Sequence, residues 1–236
     1  MKVIKDLLGI NANEQSRNKW LVETLSSLPK GMSILDAGAG ELRNKPLCKH
    51  LKYVSQDICQ YEGSGDSKGL QTGAWDTSKI DIVSDITNIP VADASFDIIL
   101  CSEVFEHLPD PLKALDEFAR LLKSGGKLII TAPFASLVHF APYHYATGFS
   151  RYWYEHHFPL RGFQINMLSS NGDWFDFIKQ ELIRLPSAAR RYGDWCWLLA
   201  YVFAGFGLIY FFIRGKKSKS ADDLACFGWH CVAIKA

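Results

Sequence analysis

The chain lacks an excess of charge of either sign. Its 26 Lys and Arg residues stand against 25 Asp and Glu, for a formal net charge of +1. A surface that follows a nucleic-acid backbone needs clustered positive charge, so no nucleic-acid partner is expected. The six cysteines (Cys48, Cys59, Cys101, Cys196, Cys226 and Cys231) contain no Cys-x-x-Cys pair, which removes the usual zinc and redox spacings. Cys101 and Cys231 sit inside apolar, strand-like runs, so reduced core residues of a cytosolic protein are expected, with no disulfides and no metal site. Met1 to Gln15 has no long apolar run and carries Lys5, Asp6, Asn11 and Glu14, so no secretory signal is expected. The 236 residues, 48% of them hydrophobic, suit one domain with an ample core.

What is present is a rhythm of short apolar runs, each ending in an acid or a polar residue. Asn13 to Leu28 has helical spacing and stops at Pro29 and Gly31. Strands are expected at Met32–Asp36, Lys52–Gln56, Ile80–Ser84, Phe96–Cys101 and Lys127–Thr131. Phe163–Leu168 and Ala225–Lys235 add two more. Helices are expected at about Arg43–His50 and at Leu112–Leu122, the second ended by Ser124-Gly125-Gly126. Tyr61–Lys79, rich in Gly, Ser and Asp with one large aromatic, Trp75, reads as a long loop. Alternation of strand and helix predicts an α/β fold: a doubly wound, mostly parallel, seven-stranded sheet, with an apolar helical insertion before the last strand.

In such a sheet, ligands bind at the strand C-termini. Strand one ends in Asp36-Ala37-Gly38-Ala39-Gly40. Glycines there permit a tight turn and close approach of a ligand to the backbone. A dinucleotide fingerprint would need a further glycine near position 43, which is Arg, and Asp36 would repel a pyrophosphate. A cationic ligand suits the site better. Asp57, about twenty residues on, stands where a carboxylate accepts both hydroxyls of a ribose. Asp85 and Ile86 offer a carboxylate and an N–H for an adenine edge. Ser102 and Glu103 end strand four. Each acid by itself reads equally well as a helix cap or a solvated loop residue.

The run Asp36–Gly40 resembles motif I of the class I S-adenosylmethionine-dependent methyltransferases, an acid followed by alternate glycines. Leu42 stands where that motif has its last glycine. The run from Phe96 through Glu106-His107-Leu108-Pro109-Asp110-Pro111, with Ile89–Ser95 before it and Leu121–Leu128 after it, resembles the type 11 methyltransferases. The resemblance covers residues 30–135. It implies a Rossmann-like methyltransferase fold, S-adenosylmethionine as cofactor held by this region, and strand seven antiparallel at the sheet edge. It does not specify a substrate.

Residues 134–160 are expected to form the acceptor site. Phe134–Phe158 holds nine aromatic residues and four of the seven histidines, which suits a small-molecule pocket. Phe149, Trp153 and Phe158 also fit a helix core, and His156 and His157 a helix end. A hydroxyl acceptor needs a base near neutral pKa, for which histidine is suited. His144, then His139 and His107, are the candidate catalytic residues. O-methylation of a small molecule, lipid-linked or glycan, is the expected reaction. The alternatives are C-methylation of a quinone-like lipid and a non-catalytic module that binds the cofactor.

Trp195 to Ile213 is an uncharged run followed by Arg214, Lys216, Lys217 and Lys219. Its length fits a membrane span. A strand of the same sheet so soon afterwards argues against a simple crossing. A re-entrant or interfacial helix pair broken near Gly205 and Gly207, a homodimer contact and a buried core helix are the three readings. The basic cluster favours an anionic membrane surface.

Overall fold

The computed structural model describes residues 11–214 and 220–236. The stretch before residue 11 and Lys216, Lys217 and Lys219 therefore lie outside the described residues. The chain divides into two compact units, one of residues 17–169 and 228–236, the other of residues 170–227 with those before 17.

The first unit is built on helix α1 (Ala12–Ser26) and most of a seven-stranded sheet. On α1, Leu21 and Leu25 recur at i and i+4, so both turn inward. They pack with Leu28 against Ile34, Cys48, Ile98, Leu100 and Ile129. The strands are β1 (Ser33–Ala37), β2 (Lys52–Asp57), β3 (Ile82–Val83), β4 (Phe96–Ser102), β5 (Leu122–Pro133), β6 (Phe163–Asn171) and β7 (Gly228–Lys235). Their order is 3-2-1-4-5-7-6. β1 runs parallel to β2 and β4, and β4 parallel to β5. β7 is antiparallel to β5, in register from Lys127 opposite Ile234 to Pro133 opposite Gly228. The central strands are apolar on both faces, with Ile34, Leu35, Ile98, Ile99 and Leu100 fully buried. That is the composition of a doubly covered parallel sheet.

The expected α/β sheet is present, with four local differences. β7 lies between β5 and β6, so the sheet edge belongs to β6. The segment after β1 forms only a 3₁₀ turn, Lys45–Cys48; Pro46 sets φ and removes an N–H, and eight residues leave no room for a stable α-helix. No helix separates β2 from β3 or β3 from β4, and β3 has contracted to two residues. Ser124-Gly125-Gly126 does not end the helix. Helix α2 (Pro111–Leu121) stops earlier, and these residues lie inside β5, where the pairing with β4 is irregular.

α2 starts where Asp110 accepts a hydrogen bond from the Lys113 N–H at 3.1 Å, with Pro111 in the first turn. It buries Ala114, Leu115, Phe118 and Leu121. Its Glu117 and Arg120 hold the Ile89–Asp93 stretch: Glu117 accepts the Ile89 N–H at 2.7 Å, and Arg120 donates to the Val91 carbonyl and the Asp93 carboxylate. α3 (Arg151–His157) ends with His156 and His157 in its last turn. Phe149 and Phe158 are buried and Trp153 packs edge-on to Phe105, so these aromatics form core.

The second unit is a helical hairpin, α4 (Trp174–Arg191) and α5 (Trp197–Arg214). α4 begins in a reciprocal cap between Asp173 and Asp176. α5 runs unbroken through Gly205 and Gly207, so the expected broken pair is not formed. Gly207 admits Leu182 of α4: a Cβ there would lie 2.6 Å from its side chain. Arg190 lies 5.6 Å from the Trp197 ring, and Arg214 3.3 Å from that of Phe175. Only Ala200 and Ala204 of α5 are buried, so α5 is not a buried core helix.

Candidate active site at the carboxyl edge of the sheet

The turn after β1 is shaped by three left-handed residues. Gly38 has φ +75°, Gly40 +50° and Leu42 +60°. Leu42 thus adopts the conformation that a glycine at its position would supply, and the turn is kept despite the different residue. The cost for a non-glycine residue there is roughly 1–2 kcal/mol. The Gly38 and Ala39 N–H groups both donate to the Gln56 carbonyl at 2.9 Å. A Cβ on Gly38 would strike Val104 at 2.5 Å. The glycines are therefore needed both for backbone conformation and for the close approach of β4's end.

The acids of this edge are not equivalent. Asp36 is 1% exposed and accepts from the Tyr53 hydroxyl at 2.6 Å and, more weakly, from Asn44 at 3.5 Å. Burial raises its carboxyl to about 6 even though the Tyr53 and Asn44 hydrogen bonds oppose the rise. It is a strut between β1 and β2. Asp57 ends β2, and its two oxygens accept the Gly40 and Cys59 N–H groups at 2.9 and 2.8 Å. A carboxylate has further lone pairs to offer. Asp85 is exposed and accepts from both the N–H and the hydroxyl of Thr87 at 2.8 Å, while Ile86 beside it is buried. Ser102 shares a 2.8 Å hydroxyl contact with Thr131. Glu103, itself left-handed at φ +56°, forms a 2.9 Å ion pair with Arg17 of α1.

The loop of residues 61–79 lies over this turn. A Cβ on Gly40 would meet the Trp75 ring at 2.5 Å, and the Arg43 guanidinium stands 5.5 Å from the same ring. Trp75 packs with Tyr61 and Phe140. The loop is joined to the segment after β5: Leu70 donates to the Val138 carbonyl at 2.9 Å and accepts from Phe140 at 3.1 Å.

That segment brings His139 and His144 to His107, which follows β4. Ring centroids are 4.6 Å apart for His107 and His139, and 4.9 Å for His139 and His144. The candidate catalytic histidines therefore form one cluster. Beneath them lies Glu106, fully buried, with neither carboxylate oxygen hydrogen-bonded. The backbone carbonyl of Glu106 accepts from Tyr145 and Ala146, which fixes the neighbourhood of His144. Burial lowers His107 to about 4. Burial also lowers His144, with charge on His139 adding to it. Burial opposes protonation of His139, yet the Glu106 carboxylate and the Leu137 carbonyl outweigh it and the pKa is raised. Glu106 itself is raised by burial.

Sequence reading did not single out Glu106, Trp75's contact with Gly40, or Arg17. The pair Glu106-His107 sits within the quoted motif, and a carboxylate in a run as apolar as Val104–Leu108 was the available signal. The other two contacts cross from distant segments and leave no local trace.

Residues 35–130 match the family described as the methyltransferase domain. Over 131 residues the chain is 40% identical to the demethylmenaquinone methyltransferase of Paenarthrobacter aurescens, covering 54% of this chain and 48% of that protein. Over 63 residues it is 38% identical to the ubiquinone biosynthesis O-methyltransferase of Xylella fastidiosa, covering 27% and 25%. The chain thus spans half or less of the length of these curated relatives. Its fold matches the crystal structure of the (4+2)-cyclase SpnF with a TM-score of 0.56 at 16% identity, over 93% of this chain and 80% of that one. At that identity the likeness shows the fold alone, and the cyclase's name makes plain that this fold does not dictate one reaction.

Proposed function

This chain belongs to the class I S-adenosylmethionine-dependent methyltransferases, and we propose that it transfers the cofactor's methyl group to a hydroxyl of a small molecule. The observation that carries this reading is the adjacency, in one unit, of the glycine turn with Asp57 and the clustered His107, His139 and His144. Asp57, beside the Gly38 and Gly40 turn, accepts the ribose hydroxyls. Asp85 and Ile86 meet the adenine edge, and Ser102 and Glu103 the methionine portion. Asp36 contributes from behind, as the strut under the turn.

The sulfonium methyl is already activated, so alignment of acceptor and donor supplies most of the catalysis. The acceptor hydroxyl docks against the histidine cluster. Its oxygen bonds to the methyl carbon, the carbon–sulfur bond breaks toward sulfur, and the proton leaves through the cluster. His144, whose ring nitrogens are both shielded and unpartnered, stands first among the three. The quinone-linked names of the relatives favour an acceptor with a lipid tail, and C-methylation of such a ring is the second reading.

The exposed face of α5 supports a membrane contact. Phe203, Phe206, Phe212 and Ile213 are each at least 70% exposed. Among the described residues α5 is one helix long and apolar enough to cross a membrane. We place it at a membrane surface of a cytoplasmic protein, with a homodimer through residues 195–213 as the rival.

Calorimetric titration with S-adenosylmethionine and S-adenosylhomocysteine, beside Asp57→Asn checked for folding by circular dichroism, tests the cofactor site. Micromolar binding lost in the folded variant is expected. A folded wild-type protein that binds neither would overturn the reading in favour of a module without this chemistry.

A further inference from the structure

We propose that His107, His139 and His144 form a site for a single divalent transition-metal ion of the zinc and cobalt class, with the buried Glu106 carboxylate beside it. The site lies in the acceptor region described above, but its occupation can be measured without any acceptor.

The argument begins with tautomers. His107 Nδ1 lies 2.6 Å from the Tyr143 carbonyl, and His139 Nδ1 lies 2.8 Å from the Leu137 carbonyl. A carbonyl only accepts, so both Nδ1 atoms carry hydrogen. In the neutral rings the Nε2 atoms are then left as lone pairs. Both Nε2 atoms stand 3.7 Å from the same oxygen of Glu106, Oε1. Two lone pairs and a carboxylate oxygen thus converge on one point, at a separation too long for hydrogen bonds. Neither Glu106 oxygen has a hydrogen-bond partner, nor does either ring nitrogen of His144. A fully buried carboxylate without partners is costly. A cation held by the three imidazoles would also set a positive charge beside this carboxylate.

The ligand set also identifies the ion. One nitrogen from each of the three histidines lies within 4.8 Å of the others. Ligands about 2.1 Å from a tetrahedral ion stand roughly 3.4 Å apart, so the rings need to draw inward by only about an ångström. Three imidazoles suit zinc, cobalt or a neighbouring first-row ion. Magnesium and calcium prefer oxygen ligands. Nδ1–H donation to a backbone carbonyl is the support that metal-binding histidines generally receive from the surrounding protein. The competing arrangement is a protonated His139 paired with Glu106. It leaves the lone pair of His107 facing the same carboxylate, and His144 without a partner.

Such an ion would sit where the acceptor oxygen docks. It would act as a Lewis acid on that oxygen, and the imidazoles would then serve as ligands.

The test is uptake of Co²⁺ and Zn²⁺ by the untagged, chelator-treated protein, measured by equilibrium dialysis and by the visible absorption of bound Co²⁺. About one equivalent is expected, with the intense bands of a low-coordinate site. His144→Ala and Glu106→Gln should each weaken uptake by at least about tenfold, while the double variant His156→Ala/His157→Ala leaves it unchanged. His139→Gln, a milder change in the exposed loop, serves if Glu106→Gln does not fold. Failure of the folded wild-type protein to take up either ion would overturn the proposal. So would uptake undiminished in both His144→Ala and His139→Gln. Calorimetry with S-adenosylmethionine in chelator separates the two readings. Cofactor binding without metal uptake removes the metal site and leaves the methyltransferase reading; metal uptake without cofactor binding does the reverse.

Discussion

The Trp75 ring lies directly on Gly40, so closely that a methyl group on the glycine would stand 2.5 Å from it. One residue belongs to the turn after β1, the other to a loop some thirty-five positions later. Their contact makes the glycine a seat for the loop as well as a hinge of the turn.

Gly40→Ala should therefore act at a distance. Alanine at φ +50° is strained, and its Cβ must push Trp75 away. Trypsin should cut the loop faster after Lys68 and Lys79 in this variant than in the parent. Cofactor affinity should fall by at least about tenfold, or roughly 1.4 kcal/mol. Equal cleavage rates would mean that Trp75 does not hold the loop.

Leu42 gives a second, local prediction. A β-branched residue fits its left-handed conformation poorly. Leu42→Val should destabilise the fold by about 1–2 kcal/mol, whereas Leu42→Gly should stay within about 1 kcal/mol of the parent, because relief of strain offsets the greater freedom of the unfolded chain. Urea unfolding would decide. Val and Gly variants of equal stability would show that the strain at this position is negligible.

His230 sets a pH dependence away from the site. It stacks on Trp20 with centroids 4.5 Å apart, and burial, aided by nearby Arg17, lowers its pKa from 6.5 to about 4. The folded protein keeps this ring neutral while the unfolded chain protonates it below 6.5. Its contribution is complete above that value and is lost as the pH falls toward 4, up to about 3 kcal/mol. Asp36 works in the opposite sense: its carboxyl is raised to about 6, so it favours the fold as the pH falls through that value toward 3.8. Comparing parent and His230→Phe unfolding from pH 7 to 4 isolates the histidine. The parent should lose more stability than the variant; parallel curves would refute this.

For α5, sedimentation with vesicles containing anionic lipid is the direct measurement. The parent should pellet with them, and Phe203→Asp/Phe206→Asp should remain in solution. A parent that ignores vesicles but changes from dimer to monomer on the same substitutions would assign the face to a second copy.

Much of this was legible in the sequence because it is written in local pattern. Alternating apolar runs located all seven strands, and the acid–glycine spacing located the turn. What was not legible depends on contacts between distant segments. The place of β7 inside the sheet follows from its pairing with Lys127–Pro133, a strand about a hundred residues earlier. The hydrogen bond to Asp36 from Tyr53, on the neighbouring strand, leaves no trace in the local pattern. Three histidines scattered from 107 to 144 are each candidates by residue type. Only the fold brings them together and sets His107 and His139 beside one buried glutamate.

The hydrogen bonds between Leu70 and Val138–Phe140 tie the cover of the glycine turn to the strand of chain that bears His139. Lifting Trp75 from Gly40 by moving its loop as a body would carry His139 away from Glu106. Entry of one reactant is then felt by the binding place of the other, and turnover should follow a compulsory order in which the first molecule to arrive prepares the seat of the second.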